Sequence, residues 1–295
     1  MNRLTGILLI AVSAASFGTL AIIGRYAYAE GIDTFTLLFL RFGISALILG
    51  GLLLARREGA PRGRTLALLV GMGAIGYVGQ SYCYLTAIKY ASAGLVALLL
   101  YLYPSFVVIL SLLFLKGKIT WITLLALGLA TLGAGLTVNP QGGQWTGILL
   151  ALLAALIYAI YIVVGAGVMQ KVSAVQSSTV IFASAGVVYG ALTAMNGPHW
   201  PVSAGGWLAV AAIVLIATVI PVVAFLAGLK RIGPADASML STLEPVVTVL
   251  LAALLFGEML RPVTLLGGGL ILAAVLLLTY RELKRGKILT ADERR

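Results

Sequence analysis

Apolar residues run along this chain in long stretches broken by short polar or turn-forming segments. Ten such runs can be marked, near Leu4–Gly24, Thr34–Ala55, Thr65–Ile88, Ser92–Leu115, Trp121–Val138, Trp145–Met169, Gln176–Met195, Gly205–Leu229, Pro234–Phe256 and Pro262–Tyr280. Crossing the ~30 Å hydrocarbon layer as a helix takes ~20 mostly apolar residues. Each run is therefore a candidate transmembrane helix, and the pattern lacks the strict alternation of a membrane barrel. The breaks are short. Asn139-Pro140-Gln141-Gly142-Gly143 and Asn196-Gly197-Pro198 carry turn residues, and no break is long enough for a soluble domain.

Composition agrees with this pattern. Hydrophobic residues make up 61% of the 295 and charged residues only 10%, against roughly 45–50% and about 25% in soluble domains. Mean hydropathy is +1.10. Disorder is excluded on the same ground. One cysteine, Cys83, rules out a disulfide scaffold, and with one histidine, His199, it cannot make the usual zinc site. No cofactor is expected.

The formal net charge of +11 would suggest nucleic acid in a soluble protein. Here the basic residues sort by loop. With the N-terminus in the cytoplasm, 16 of the 20 fall inside, 3 outside (Arg25, Lys89, Arg261), and Arg41 lies within the second run. That asymmetry predicts cytoplasmic N- and C-termini in a cell inner membrane. It also removes the nucleic-acid reading, since no single patch gathers the charge.

Sliding the chain against itself by 141 residues aligns Thr5-Gly6-Ile7-Leu8-Leu9 with Thr146-Gly147-Ile148-Leu149-Leu150. The same offset puts Lys89 on Lys230, Pro104 on Pro245, and Thr123-Leu124-Leu125 on Thr264-Leu265-Leu266. One register across separated blocks predicts an internal duplication. The expected organisation is a first five-helix repeat over 1–140, a second over 141–282, and a basic cytoplasmic tail over 283–295. An odd number of crossings inverts the second copy. The expected fold is thus an all-α polytopic membrane protein of ten transmembrane helices in two inverted repeats. Such repeats recur in secondary transporters, with the substrate near the midplane.

The residues that carry chemistry are few. An ionised group in hydrocarbon costs ~2.5–3.5 kcal/mol or more. Glu244 lies about ten residues into its run, hence ~15 Å deep, as a candidate partner for a substrate ammonium or a proton carrier. The alternative is a structural carboxyl. Arg41 lies ~10 Å deep and is read mainly as an anchor whose long stem can snorkel outward. Asp236, after Gly233-Pro234, suits a helix start. Tyr77, Gln80, Ser81 and Tyr84 fall on one helical face. Tyr101 and Tyr103 lie beside Pro104 in the next run, and Tyr158 and Tyr161 share a face of the sixth. Together they predict an aromatic pocket carrying hydroxyl and amide groups, although any one tyrosine could serve helix packing alone. Pro104 and Pro245 predict kinks and candidate hinges. Trp121, Trp145, Trp200 and Trp207 fall at run ends, as interfacial tryptophans do. Gly186-Val187-Val188-Tyr189-Gly190 and Gly267-Gly268-Gly269 suggest close helix packing. Gly71-Met72-Gly73-Ala74-Ile75-Gly76 fits a nucleotide-binding pattern but lies inside a run with no strand beside it, so that reading fails.

Arg41-Phe42, the Leu243-Glu244-Pro245 triplet, the following Gly257-Glu258 and the five-span duplication resemble the drug/metabolite transporter superfamily, EamA type. Within it the chain is most similar to the YddG-type exporters of aromatic amino acids. The first repeat departs from the pattern, with Tyr103-Pro104 and Lys116-Gly117-Lys118 where the second has Glu244-Pro245 and Gly257-Glu258. The resemblance implies ten helices and export of amino acids or related small metabolites across the lipid bilayer, with protons as a candidate coupling ion. Export of drugs, nucleobases or sugar-related metabolites is the alternative on the same fold. An intramembrane lipid-modifying enzyme or a channel is a weaker one. The chain is read as a non-enzyme, and its oligomeric state is left open.

Overall fold

The computed structural model describes residues 3–87, 90–91, 96, 99–115, 120–137, 144–256, 262–263, 265–274, 276–277 and 280. The Asn139–Gly143 break, Lys89, Lys116-Gly117-Lys118, Gly257-Glu258, Arg261 and the 283–295 tail lie outside the described residues.

Among the described residues, six helical rods are long and apolar enough to cross a bilayer: Arg3–Ala29, Thr34–Ala55, Gly63–Tyr84, Trp145–Val168, Ala174–Asn196 and Ala204–Ile232. In sequence order the elements are α1 (Arg3–Gly18), α2 (Leu20–Ala29), α3 (Thr34–Ala55), α4 (Gly63–Gly71), a π-helical turn π1 (Met72–Tyr77) and α5 (Val78–Ala87). Then come α6 (Tyr103–Leu115), α7 (Trp121–Thr137), α8 (Trp145–Val168), α9 (Ala174–Asn196), α10 (Ala204–Val214), a second π turn π2 (Leu215–Val219), α11 (Ile220–Ile232), α12 (Pro234–Leu240) and α13 (Leu243–Phe256). A shorter apolar helix, α14, covers Leu265–Ala274.

The long rods answer to runs one, two, three, six, seven and eight. Among the described residues, runs four, five, nine and ten are represented by α6, α7, α12 with α13, and α14. Run nine is divided: α12 ends at Leu240, Ser241 and Thr242 form a turn, and α13 begins at Leu243. Run four has the matching turn at Tyr101 and Leu102 before α6. Pro104 and Pro245 therefore stand in the first turn of a new helix rather than within a bent one. There their missing N–H costs no hydrogen bond.

Helices from the two repeats pack against each other in opposite directions. α3 and α9 lie side by side. At one end, the backbone N–H of His199 donates to Asp33, the N-cap of α3, at 3.1 Å. At the other, Ser173, the N-cap of α9, donates to Glu58 at 2.8 Å, and Gln176 donates to the Gly59 carbonyl at 2.7 Å. α1 runs antiparallel to α11, with Gly6 against Ile232 and the Ser13 hydroxyl donating to the Pro221 carbonyl at 2.8 Å. α5 meets α8 in the same way, Gly79 against Ile157 and Gly147 against Ala87. Under the 141-residue offset, α1 with α11 becomes α8 with α5. The principal contacts thus run between repeats, so the two copies interlock.

Close approach explains one glycine in particular. A Cβ on Gly73 would sit 2.0 Å from the Ser184 hydroxyl and 2.3 Å from the Ile181 carbonyl oxygen. Only glycine lets π1 lie against α9. The α9 glycine stretch behaves as expected, since Gly186 rests on the backbone of Gly43 in α3. Small hydroxyl residues fill the other interfaces: Ser13, Ser45, Ser177 and Ser178 are all buried. Large apolar side chains point outward instead, among them Leu47, Leu54, Leu113 and Leu254, which is the arrangement a lipid solvent requires.

Candidate functional site: an aromatic run between unlike charges

At the centre the tyrosines join into one continuous run of ring contacts. Tyr189 stacks on Phe42 at 5.8 Å, Phe42 meets Tyr77 edge-on at 5.2 Å, and Tyr77 meets Tyr161 edge-on at 5.6 Å. Tyr161 stacks on Tyr158 at 6.1 Å, and Tyr158 lies 4.7 Å from Tyr103. These offset and edge geometries are the favourable ones for aromatic pairs. Tyr103 closes the run by donating from its hydroxyl to the Ser238 carbonyl of α12 at 3.1 Å. Five elements, α3, π1, α6, α8 and α9, supply the rings, and both repeats contribute.

Of the residues singled out from sequence, Tyr77, Tyr103, Tyr158 and Tyr161 belong to the run. Tyr84 and Tyr101 lie beyond its Tyr103 end, within electrostatic reach of Glu244. Tyr84 also packs on the cluster of Ala87, Ala91, Val96 and Ala151. Ser81 donates to Gln80 at 3.4 Å and faces Tyr189 from the side of α5. The buried hydroxyl of Tyr161 closes no hydrogen bond among the described residues. In a dry setting that is costly.

Sequence reasoning missed three members of this site. Phe42 contacts Tyr77, Phe182 and Tyr189 at once, and Tyr189 ends the run. Their spacing in α3 and α9 reads as ordinary core. The third is Thr218, in π2.

Arg41 corrects an expectation. It does not snorkel to the surface; it is 7% exposed. Its Nε donates to the Thr218 hydroxyl at 2.7 Å and its Nη2 to the Ala217 carbonyl at 3.2 Å. The Phe42 ring lies 5.0 Å from the guanidinium carbon. Glu244 stands in the first turn of α13, half-buried. Its carboxyl makes no hydrogen bond or ion pair among the described residues, and it does not pair with Arg41. The two charges nevertheless sense each other, and Tyr77 is within electrostatic reach of both.

Other charges are structural. Asp236 sits in the first turn of α12, as expected, and also pairs with Arg3 at 3.1 Å. His199 is exposed, while its backbone N–H ties it to Asp33 and, at 3.0 Å, to Thr36. Burial alone would raise the Asp33 carboxyl. Hydrogen bonds from Thr36, His199 and Phe35 outweigh it and hold the group below its ordinary value. The four tryptophans are exposed near helix ends. A cleft of about 270 Å³ between α4 and α8, lined by Arg64, Leu68, Val164, Gly167 and Lys171, contains none of the aromatic residues. Among the described residues no three His, Cys, Asp or Glu side chains gather as metal ligands would.

The model of the EamA-like transporter family matches this chain twice, over residues 4–139 and 145–280, two segments starting 141 residues apart. An uncharacterized transporter of Archaeoglobus fulgidus is 31% identical over 277 residues, 92% of this chain and 95% of its own length. The uncharacterized inner membrane transporter YedA of Escherichia coli is 28% identical over 250 residues, 81% of this chain and 79% of its own. A crystal structure of a protein 21% identical shares the fold, with a TM-score of 0.82 over 96% of this chain and 99% of that one. Twice matched by one family model, this multi-pass chain belongs to the EamA-like transporter family.

Proposed function

We propose that this transporter exports a small zwitterionic metabolite, an aromatic or other neutral amino acid, from the cytoplasm by alternating access. One observation carries the reading: a continuous run of aromatic rings, with the Arg41 guanidinium against its Phe42, lies within electrostatic reach of Glu244, and the two charges form no ion pair among the described residues. Pockets for small ligands combine apolar walls with a few convergent polar groups. Here Tyr77, Tyr103, Tyr158 and Tyr161 form the wall, Tyr84, Tyr101, Gln80 and Ser81 border it, and Glu244 receives the substrate ammonium. The same carboxyl is the candidate proton carrier. Cytoplasmic termini follow from the basic loops, and a relative named as an inner membrane transporter supports that membrane.

The moving parts follow from the packing. α1 holds α11 and α13, while α8 holds α5 and α6, so each bundle draws on both repeats. We read these two bundles as tilting about the α3–α9 pair. The divided helices touch each other, α6 against α12, and with Pro104 and Pro245 at their restart points they act as hinges.

The test is reconstitution. The purified chain in liposomes should show saturable counterflow of labelled phenylalanine, tyrosine or leucine. Saturable flux of nucleobases or sugar phosphates, with none for any amino acid, would replace the substrate class. A flux that never saturates would make the protein a channel. An efflux rate indifferent both to a pH gradient and to Glu244→Gln would exclude proton exchange through Glu244.

A further inference from the structure

Arg41 is held in a way that a tether does not require. Of the five N–H groups of a guanidinium, its bonds to Thr218 and Ala217 engage two. Both acceptors are neutral, and both belong to π2. The wide turn sets this up. Thr218 donates its own proton to the Ile213 carbonyl, five residues back, at 2.8 Å. Its oxygen lone pairs are thereby turned toward Arg41. The Nε and Nη2 edge of the guanidinium is fixed, and the remaining N–H groups have no bonding partner among the described residues.

A charge in this position is expensive. A neutral hydrogen-bonding side chain would join α3 to π2 without the ~2.5–3.5 kcal/mol cost of an ion at membrane depth. No carboxylate lies within ion-pair distance of Arg41 among the described residues. The acid that senses it, Glu244, is itself unbonded. Arg41 lies against the Phe42 ring, Phe42 meets Tyr77, and Tyr77 meets Tyr161, whose buried hydroxyl has no partner among the described residues. Two opposite charges kept apart across an aromatic surface make a receptor for a molecule that carries both charges and a ring or branched side chain.

We propose that Arg41 is the carboxylate-binding residue of the transport site, oriented by the π turn of the second repeat, with Glu244 taking the ammonium of the same zwitterion. This rests on the amino-acid reading of the site and adds to it a division of labour between the two repeats. Arginine suits the task because its planar fork matches a carboxylate.

Three related ligands separate the roles: phenylalanine, phenethylamine, which lacks the carboxylate, and 3-phenylpropionate, which lacks the ammonium. Binding to the detergent-purified full chain is followed by ligand-dependent thermal stabilisation. Wild type should bind phenylalanine at least about tenfold more tightly than either analogue, since each loses one charge-assisted contact. Arg41→Gln should weaken phenylalanine and phenylpropionate by about tenfold or more and leave phenethylamine within about twofold. Glu244→Gln should give the mirror image. If Arg41→Gln fails to fold, Arg41→Lys, which keeps the charge but loses the fork, should weaken the two carboxylates and spare the amine. Equal weakening of all three ligands, or unchanged phenylalanine binding, would overturn the role of Arg41 while leaving the amino-acid reading in place. A wild-type chain that responds to none of the three would overturn both.

Discussion

The two π turns meet the same central helix pair, and they meet it differently. π1 lies against α9 through Gly73, whose missing side chain lets backbone approach backbone. π2 lies against α3 through Thr218 and Ala217, and there the space is filled by the guanidinium of Arg41. Under the 141-residue offset Arg41 answers to Phe182, Thr218 to Tyr77, and Tyr103 to Glu244. One contact is therefore polar and charged. Its counterpart is aromatic, with Phe42 touching Phe182 at 5.8 Å and Tyr77 at 5.2 Å. The backbone has kept its two-fold relation while the side chains have diverged. A symmetric frame can alternate between two faces, and an asymmetric lining can recognise a substrate whose ends differ.

The largest effect expected is at Gly73. An added methyl would clash with a backbone carbonyl, which no rotamer change relieves. Gly73→Ala should cost about 3 kcal/mol or more, at the upper end of overpacking, and appear as loss of monodisperse protein or a large fall in Tm. Gly71→Ala, two residues earlier and with nothing within 4 Å, should be neutral or stabilising, since alanine is the better helix former. If both variants behave alike, π1 does not depend on close approach.

Next comes the acid that the first repeat lacks. A hydrogen bond to a charged group contributes about 1.5–3 kcal/mol, so Glu244→Gln should lower amino-acid counterflow by roughly ten- to a hundredfold at subsaturating substrate. Tyr103→Glu placed on that background moves the carboxyl to the corresponding position of the other repeat. Partial recovery of flux is expected if the two positions face one cavity, and no recovery would show that they do not.

Two hydroxyls of the aromatic run, one at its end and one inside it, should also part company. Tyr103→Phe removes a bond to the Ser238 carbonyl and should cost about 1 kcal/mol. Tyr161→Phe removes a buried hydroxyl that has no partner among the described residues. Its expected stability change is zero or favourable, read as Tm without substrate. A loss equal to that of Tyr103→Phe would mean that the Tyr161 hydroxyl is satisfied.

Much of this was legible in the residues themselves. Apolar run length marks the six long rods seen among the described residues because burial in lipid leaves helices little choice of composition. Tyr77, Tyr103, Tyr158 and Tyr161 stand out because a polar group facing lipid is costly. The π turns do not show in sequence: an i→i+5 bond leaves the apolar pattern of Met72–Tyr77 or Leu215–Val219 looking like any helix. The inward turn of Arg41 could not be read either, since its acceptor, Thr218, lies 177 residues away. Phe42 and Tyr189 look like core, and only the antiparallel packing of α3 on α9 brings their rings together. The prolines signalled an irregularity, but whether a helix bends or stops and restarts depends on the turn before it.

The smallest effects distinguish the two loop contacts at opposite ends of α3 and α9. At one, Asp33 caps α3 by accepting from the backbone N–H groups of Phe35 and Thr36 at 2.9 and 3.1 Å, and also holds His199. At the other, Ser173 caps α9 in a reciprocal box with Gln176 and binds Glu58. Removing either cap should cost about 0.5–2 kcal/mol. The two differ in their response to acid. The Asp33 carboxyl is held below its ordinary value of 3.8, so its contribution is complete above that pH and is lost as pH falls through the lower folded value. The serine cap does not titrate. The Tm deficit of Asp33→Ala should therefore shrink below about pH 4, while the capping deficit of Ser173→Ala, measured in a Glu58→Gln background to silence the neighbouring carboxylate, should persist. A deficit for Asp33→Ala that is constant down to pH 3 would show that the ionised carboxylate is not what joins that end of α3 to His199.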